Sequence, residues 1–300
     1  MNSERNTSER ILRIAWWMLF AAMLAVVAGV RIRLLGIPLE RDEGEYAYAG
    51  QLMLQGIPPY KLAYNMKFPG TYAAYALIMS IFGQTSIGIH FGLLIVNAAT
   101  VALVFLLGRR LFDTTAGLAA ATAYAILSVS PAVLGFAGHA THFVVLPVLA
   151  GVWLLLDALD RQSTIKIFLS GILFGVGVLM KQPGAVFVLF GAIFLLVCDW
   201  RAKLGFSKMA IHIAAFTCGA VAPLGVTCLL LWHAGVFGKF WFWAIQYARE
   251  YGSRVSIPLG TEVFGYAIGG VIGSNWAIWL IAFVGLIACL WNARSHSSAR

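Results

Sequence analysis

The uncharged run at residues 114–156 reads TTAGLAAATAYAILSVSPAVLGFAGHATHFVVLPVLAGVWLLL and contains no Asp, Glu, Lys or Arg. A helix that crosses a membrane needs about 17–25 apolar residues, so this run is long enough for two such helices. Ser130-Pro131 predicts a turn between them that extends to His142. The apolar residues are continuous and do not alternate every second position, which favours helices over the strands of a membrane barrel.

The composition of the whole chain agrees with this run. Hydrophobic residues make up 61% of the 300 residues, charged residues make up 11%, and the mean hydropathy is +0.85. Soluble domains carry roughly 25% charged residues. We therefore predict an all-α, polytopic transmembrane helical bundle of about eight spans that forms a single domain over residues 1–300. The other predicted spans are residues 14–30, 86–107, 167–180, 185–198, 209–231 and 263–290.

The basic residues of the chain set its predicted orientation. Three arginines precede the first span, so the positive-inside rule places the tail 1–13 in the cytoplasm. Residues 31–85 and 233–262 then lie outside, and their mixture of aromatic and basic residues predicts helices in the membrane interface. The chain is thus predicted to be a multi-pass protein of the inner (plasma) membrane.

The net charge of +9 does not indicate nucleic acid as a partner. The lysines and arginines are scattered over the loops between the predicted spans, and they form no continuous basic stripe. Scattered basic residues beside membrane spans predict contact with anionic membrane lipids instead.

A polar stretch, Asp42-Glu43-Gly44-Glu45-Tyr46, follows the first span. It opens a short amphipathic helix that we predict to end at Gly56, before Pro58-Pro59. With Asp42 as N-cap and Glu45 at position N3, the two acids would form a capping box, which is a purely structural explanation. A catalytic role for these carboxylates is the alternative, and the residues alone leave both explanations open.

An ordered set of motifs gives the chain a likeness to a known family. The motifs are Asp42-Glu43-x-x-Tyr46-Ala47, Lys67-Phe68-Pro69, Leu107-Gly108-Arg109-Arg110, Gly138-His139-Ala140-Thr141-His142 and Lys181-Gln182-Pro183-Gly184. Together they resemble the ArnT/protein-mannosyltransferase (PMT-type) group of GT-C glycosyltransferases. The resemblance implies a GT-C-like fold and the transfer, outside the cytoplasm, of sugars carried on a polyprenyl phosphate.

The resemblance also implies roles for individual residues. Asp42 matches the catalytic acid, with Glu43 beside it, and Lys67 matches the lysine that contacts the lipid phosphate. Such a donor already has an acidic leaving group, so the chemistry needs one base for the acceptor and cations for the phosphate charge. Further predicted donor phosphate-binding residues are Lys181, Arg249 and Arg254, and predicted substrate-binding residues are Glu45, Tyr46, His142 and Tyr247.

The sequence predicts no metal and no other cofactor. His139 and His142 are three residues apart, a spacing at which two imidazoles on one helical turn can share a metal ion. A polar cap on the outside turn explains the two histidines as well. The resemblance adds that some relatives use a Glu before the lysine of the Lys-Pro motif as a metal ligand, whereas this chain has Met66 there. A divalent metal is therefore the less favoured alternative.

These patterns predict an inverting membrane glycosyltransferase. It would move a sugar from a polyprenyl-phosphate donor to a lipid, glycan or protein acceptor on the extracytoplasmic face. A lipid carrier or transporter-type protein without enzymatic activity is the competing class, although transporters usually place their polar groups near the middle of the membrane. Family members run beyond 300 residues, so the chain is predicted to be either a compact member or the front part of a longer enzyme, and an inactive fragment is a third interpretation.

Overall fold

The computed structural model describes residues 2–273 and 275–297, and every regular element within them is helical. The helices are α1 (Asn2–Arg33), α2 (Arg41–Leu54), α3 (Gly70–Phe82), α4 (Ser86–Leu111), α5 (Thr114–Leu127), α6 (Ala140–Arg161), α7 (Thr164–Met180), α8 (Ala185–Arg201), α9 (Phe206–His233), α10 (Phe237–Trp241), α11 (Ala248–Ser253), α12 (Ile257–Gly273) and α13 (Trp276–Ser297). A π-helical segment, Phe242–Tyr247, joins α10 to α11. The predicted all-α polytopic bundle is confirmed.

Fewer helices than predicted have the length of a membrane span. Five described helices are long and apolar enough: Ile14–Arg33, Ser86–Leu111, Ala140–Arg161, Gln182–Arg201 and Phe206–His233. A sixth is obtained if Phe237–Ser253 and Ile257–Gly273, which are bent by 94°, count as one span. The structure therefore does not reproduce the predicted number of about eight.

Three of the predicted spans account for the difference. Helices α5 and α7 are apolar, but they have only 14 and 17 residues and are shorter than the five long helices. The predicted span 263–290 is divided, because α12 ends at Gly273 and α13 begins at Trp276. Hydropathy reports that a segment is apolar, but it does not report where its helix ends.

The inner core forms where α6, α7, α8 and α9 meet. Its fully buried side chains include Leu155 of α6, Phe174 of α7, Leu195 of α8 and Phe216 of α9. The backbones of α7 and α9 approach so closely that a Cβ on Gly171 would overlap the carbonyl oxygen of Phe216. Small residues at such a crossing allow two membrane helices to pack in direct backbone contact.

Gly171→Val is therefore expected to lower the free energy of unfolding by about 1–3 kcal/mol, because the added atoms force α7 away from α9. Gly225→Val on α9 is the matched control, since a Cβ there meets nothing within 4 Å. Thermal unfolding in detergent, followed by circular dichroism, measures both variants. Equal midpoints for Gly171→Val and Gly225→Val would contradict the close packing of α7 on α9.

The end of α1 holds the turn that precedes α6. Arg31 is buried and donates hydrogen bonds to the carbonyl oxygens of Ser128, at 2.8 Å, and Gly135, at 3.0 Å. These bonds fasten the chain between α5 and α6 to α1. The same turn carries Gly138 and His139 to the start of α2.

The start of α2 differs from the prediction. Its N-cap is Glu40, whose Oε2 accepts a hydrogen bond from the backbone N–H of Asp42 at 2.7 Å. Glu43 at position N3 completes the capping box by accepting from the Glu40 N–H at 2.9 Å. The predicted box of Asp42 and Glu45 is wrong. Because the box lies two residues earlier, the carboxylates of Asp42 and Glu45 are left for other contacts.

Candidate active site

Two carboxylates of α2 meet one lysine beside it. The Nζ atom of Lys67 lies 3.2 Å from Oδ2 of Asp42 and 2.9 Å from Oε2 of Glu45. Asp42 and Glu45 are one helical turn apart and share a face of α2, so one ammonium reaches both. The side chains of Asp42, Lys67 and Glu45 are 19%, 23% and 26% exposed, which leaves the group accessible at one side.

Glu45 is held more firmly than Asp42. Its Oε2 accepts a hydrogen bond from Nδ2 of Asn65 at 2.7 Å, and its Oε1 accepts one from the Tyr72 hydroxyl at 2.8 Å. Besides Lys67, the Asp42 carboxylate contacts Arg41 at 3.4 Å, and that arginine side chain is 89% exposed. Asp42 is therefore the carboxylate of the pair that can turn toward an incoming molecule.

The loop that carries Lys67 is fastened to the end of α7. The side-chain amide of Gln182 donates to the carbonyl oxygen of Met66, and the Thr71 hydroxyl donates to that of Met180 at 2.8 Å. Within the loop, the Tyr60 hydroxyl donates to the Lys67 carbonyl oxygen at 2.7 Å. These bonds fix the backbone of Lys67, so its ammonium is positioned before any ligand arrives.

Charge and burial have opposite effects on the pKa values of Asp42 and Lys67. Burial alone would raise the pKa of Asp42, but the charge and hydrogen bond of Lys67, with His139 and Arg41, hold it below its ordinary value. Burial alone would lower the pKa of Lys67, but Glu45, Tyr46 and Asp42 raise it above its ordinary value. Both groups therefore stay charged at neutral pH.

Glu43 has different surroundings from Asp42. It is 1% exposed, and it accepts hydrogen bonds from the Gly138 N–H and from Nε2 of His90, the latter at 3.2 Å. Burial would raise the pKa of Glu43, but the hydrogen bonds from His90, Gly138 and Glu40 lower it overall. None of the described hydrogen bonds or ion pairs joins its carboxylate to Lys67. Glu43 therefore ties α2 to α4 and to the turn before α6.

Tyr46, a predicted substrate contact, lies beneath the lysine. It is 2% exposed, and its ring centroid is 4.6 Å from the Lys67 Nζ, a cation–π distance. Its ring also packs against Tyr75 and Tyr72, at centroid distances of 5.4 and 6.0 Å. The structure thus places Tyr46 as a support for the Lys67 ammonium.

The remaining predicted residues lie at different distances from this group. Lys181 stands between Met180 and Gln182, so its backbone adjoins the Lys67 loop. Tyr247 contacts Trp243, which stacks on Tyr64 of the same loop at 4.6 Å. Both residues stay candidates by neighbourhood, although none of the described contacts joins either side chain to the two carboxylates.

Three predicted residues are not brought to the group by any described contact. Arg249 is exposed on α11, and Arg254 pairs with Glu250 at 3.7 Å, with both side chains exposed. His142 is buried and lines a separate cavity that includes Tyr124. Their proposed contacts with substrate stay predictions.

The sequence analysis did not predict the side chains that hold the carboxylates of α2 in place. Asn65 and Tyr72 fix Glu45, His90 fixes Glu43, and His139 lies 3.4 Å from Oε2 of Glu40 through its Nε2. The spacing Glu40-x-x-Glu43 is a readable signal for the actual capping box. The contacts of His90 and His139 join distant parts of the chain, and their sequence neighbours carry no sign of them.

Comparison with known proteins gives a family and several relatives. Residues 67–232 match the family described as dolichyl-phosphate-mannose-protein mannosyltransferase. An undecaprenyl phosphate-alpha-4-amino-4-deoxy-L-arabinose arabinosyl transferase of Pseudomonas paraeruginosa is 30% identical over 217 residues, as are proteins of the same name from two strains of Pseudomonas aeruginosa. Each alignment covers 67% of this chain and 38% of the relative, so the chain spans about two-fifths of the length of these relatives. No solved structure matches the chain.

Proposed function

Because this chain belongs to the dolichyl-phosphate-mannose-protein mannosyltransferase family, we propose that it is a membrane glycosyltransferase that uses a polyprenyl-phosphate sugar as donor. The observation that carries the proposal is the contact of the Lys67 ammonium with the Asp42 carboxylate, at 3.2 Å. The family match begins at Lys67, so the role of Asp42 is supported by this contact and by the motif around it.

The proposed reaction is a single displacement at the anomeric carbon of the donor. The acceptor oxygen or nitrogen forms a bond to that carbon while the bond to the phosphate oxygen breaks, and the phosphate leaves with the bonding electrons. Asp42 takes the proton of the acceptor, because its carboxylate is ionised at neutral pH and has the fewest fixed partners. The polyprenyl phosphate and the glycosylated acceptor are the two products.

Lys67 stabilises the charge that develops on the leaving phosphate. Its ammonium has three N–H donors, and a phosphate oxygen is a strong acceptor for a donor that is already positioned. Glu45 and Tyr46 hold this ammonium in place, and Glu43 positions α2 from behind. Lys181 is the second cation that we assign to the phosphate.

We place the reaction at the outer face of the inner membrane, as the orientation of the charges predicts. The acceptor is a lipid, glycan or protein, and its reacting group is a hydroxyl or amine. Tyr247, Arg249 and Arg254 belong to the segment 233–262, which adjoins the Lys67 loop through Trp243 and Tyr64. This segment is our candidate for the outer wall of the site.

An assay of the purified chain in liposomes tests this function. A polyprenyl-phosphate sugar with a radiolabelled sugar is supplied with candidate acceptors, and both transferred label and released polyprenyl phosphate are measured. A single displacement predicts that the product has the opposite anomeric configuration to the donor, which NMR of the product shows. Retention of configuration would contradict the one-base reaction, and saturable donor binding without release would favour the carrier class.

A further inference from the structure

A buried arginine near the end of α1 has only uncharged partners. The Arg31 side chain is 5% exposed, and its two terminal nitrogens donate to the carbonyl oxygens of Ser128 and Gly135 and to the Ser128 hydroxyl. Its guanidinium also lies 5.8 Å from the ring centroid of Phe136. None of the described ion pairs includes Arg31. A buried charge without an opposite charge is costly, so this guanidinium calls for an anion.

A cavity between α1, α4 and α5 reaches this arginine. Its volume is about 190 Å³, several times the roughly 30 Å³ that a water molecule occupies in the liquid. Arg31, Asn97 and Ser128 supply the polar part of its lining, and apolar side chains such as Leu24 supply the rest. Ala98 of α4 belongs to the lining and is exposed, so the cavity opens toward the lipid-facing surface of the bundle.

Two polar atoms of the residues that line this cavity lack a hydrogen-bond partner. Among the described residues, nothing bonds to Nε of Arg31 or to Oδ1 of Asn97, although both side chains are more than nine-tenths buried. The Asn97 amide nitrogen donates to the carbonyl oxygen of Leu93 at 2.9 Å, so only its oxygen is left over. Buried donors and acceptors without partners cost free energy. A ligand that offers an anionic oxygen and a hydroxyl would satisfy both atoms.

The depth of Arg31 in the membrane indicates the kind of anion. The apolar span Ile14–Arg33 has 20 residues, which at 1.5 Å per residue matches the roughly 30 Å thickness of the hydrocarbon core. Arg31 is two residues from the end of this span, so it lies near the boundary where lipid phosphates are found. Arg33 is exposed and adds a second positive charge there. Basic pockets between membrane helices bind the head groups of anionic lipids.

We propose that the cavity between α1, α4 and α5 is a binding site for an anionic membrane phospholipid, with phosphatidylglycerol as the lipid to test first. Its phosphate accepts a hydrogen bond from Nε of Arg31, and a hydroxyl of its glycerol head group donates to Oδ1 of Asn97. The cavity is smaller than the roughly 300 Å³ of a pocket that encloses a drug-sized ligand. It therefore holds only part of the lipid, and the acyl chains continue into the bilayer past Ala98.

A lipid at Arg31 would stabilise the turn before α6. Arg31 holds that turn through Ser128 and Gly135, and the Gly138 N–H of the same turn donates to Glu43 of α2. An anion on the guanidinium removes the cost of the unpaired charge and so favours this arrangement. Lipid that binds the folded chain should therefore raise its thermal stability. The proposal does not rest on the proposed function, because it concerns no sugar donor or acceptor.

Lipid binding to the purified full chain tests the site. The protein is delipidated in detergent and titrated with phosphatidylglycerol, and the bound lipids are counted by native mass spectrometry. Zwitterionic phosphatidylcholine is the control lipid. Arg31→Gln removes the buried charge, and its matched control, Arg33→Gln, removes an exposed charge two residues later.

A second pair of variants leaves Arg31 untouched. Ala98→Phe fills the cavity from α4, whereas Ile95→Phe enlarges an exposed side chain of the same helix that lies outside the lining. Circular dichroism and thermal unfolding establish that each variant is folded. Should Arg31→Gln fail to fold, Ala98→Phe decides the matter, because the hydrogen bonds of Arg31 to Ser128 and Gly135 are intact in it.

We expect one tightly bound phosphatidylglycerol in the wild type, Arg33→Gln and Ile95→Phe. Its affinity should fall by about 10-fold or more in Arg31→Gln and Ala98→Phe, the effect of losing one charge-assisted hydrogen bond. Phosphatidylglycerol should raise the unfolding midpoint of the wild type but not of these two variants.

Three results would overturn the proposal. The first is equal affinity of the wild type for phosphatidylglycerol and phosphatidylcholine. The second is phosphatidylglycerol affinity in Arg31→Gln equal to that in Arg33→Gln, or affinity in Ala98→Phe equal to that in Ile95→Phe. The third is tighter binding of inorganic phosphate or of a polyprenyl phosphate than of phosphatidylglycerol, which would assign the cavity to a different source of phosphate. Sugar transfer is not measured, so these outcomes leave the proposed function untouched.

Discussion

Asp42→Asn is expected to lower the turnover of the reconstituted chain by about 10²–10⁴-fold, the range that a positioned general base contributes. The amide has nearly the same shape as the carboxylate, but it cannot take a proton from the acceptor. Because Glu40 caps α2, the Asp42 side chain has no capping role, and the helix should form as before. Lys67 keeps its contact with Glu45 in the variant.

Steady-state release of polyprenyl phosphate measures this effect. The matched control is Asp113→Asn, since Asp113 caps α5 through the Ala116 N–H and asparagine is an equally good N-cap. We expect the control to retain the wild-type rate. Turnover of Asp42→Asn within a few-fold of the wild type would show that another group accepts the proton.

Lys67→Met is expected to weaken binding of the polyprenyl-phosphate sugar and to lower turnover by about 10²–10³-fold. The substitution removes the ammonium that would donate hydrogen bonds to the leaving phosphate. Methionine has similar length and no charge, so the loop retains most of its packing. Glu45 keeps its bonds from Asn65 and Tyr72, which limits the structural damage. The main effect of the substitution should therefore be the loss of the contact with the donor phosphate.

Lys61→Met is the control for this change. Lys61 is an exposed lysine of the same loop, and its side chain has no partner among the described contacts. Donor titration by calorimetry and the release assay are run on both variants. Lys67→Arg should bind donor better than Lys67→Met, because it restores the positive charge. It should bind donor less well than the wild type, because the larger guanidinium does not fit between the two carboxylates as the compact ammonium does. Equal donor affinity in Lys67→Met and Lys61→Met would contradict a phosphate role for Lys67.

The site shows how far the sequence alone could reach. The pairing of Asp42 with Lys67 followed from the family resemblance, since nothing in the spacing of residues 42 and 67 requires contact. The spacing of a capping box occurs twice, as Glu40-x-x-Glu43 and as Asp42-x-x-Glu45. Local preference favoured Asp42 as the cap, but burial of Glu43 against His90 and Gly138 selects the first box.

The fold shows a similar division. Hydropathy identified the apolar helices, because the composition of a span is a local property. It did not give the number of long spans, because the ends of α5 and α7 depend on local turns near Ser128 and Lys181. The partners of His139 lie almost a hundred residues earlier, so only the packing of α2 against the turn before α6 reveals them.

The most direct test of the account separates binding from chemistry in two variants. The donor dissociation constant and the single-turnover rate of polyprenyl phosphate release are measured side by side for Asp42→Asn and Lys67→Met. The account predicts that Asp42→Asn binds the donor with nearly wild-type affinity but releases almost no polyprenyl phosphate, whereas Lys67→Met binds the donor poorly. Wild-type release from Asp42→Asn, together with wild-type donor affinity in Lys67→Met, would contradict it.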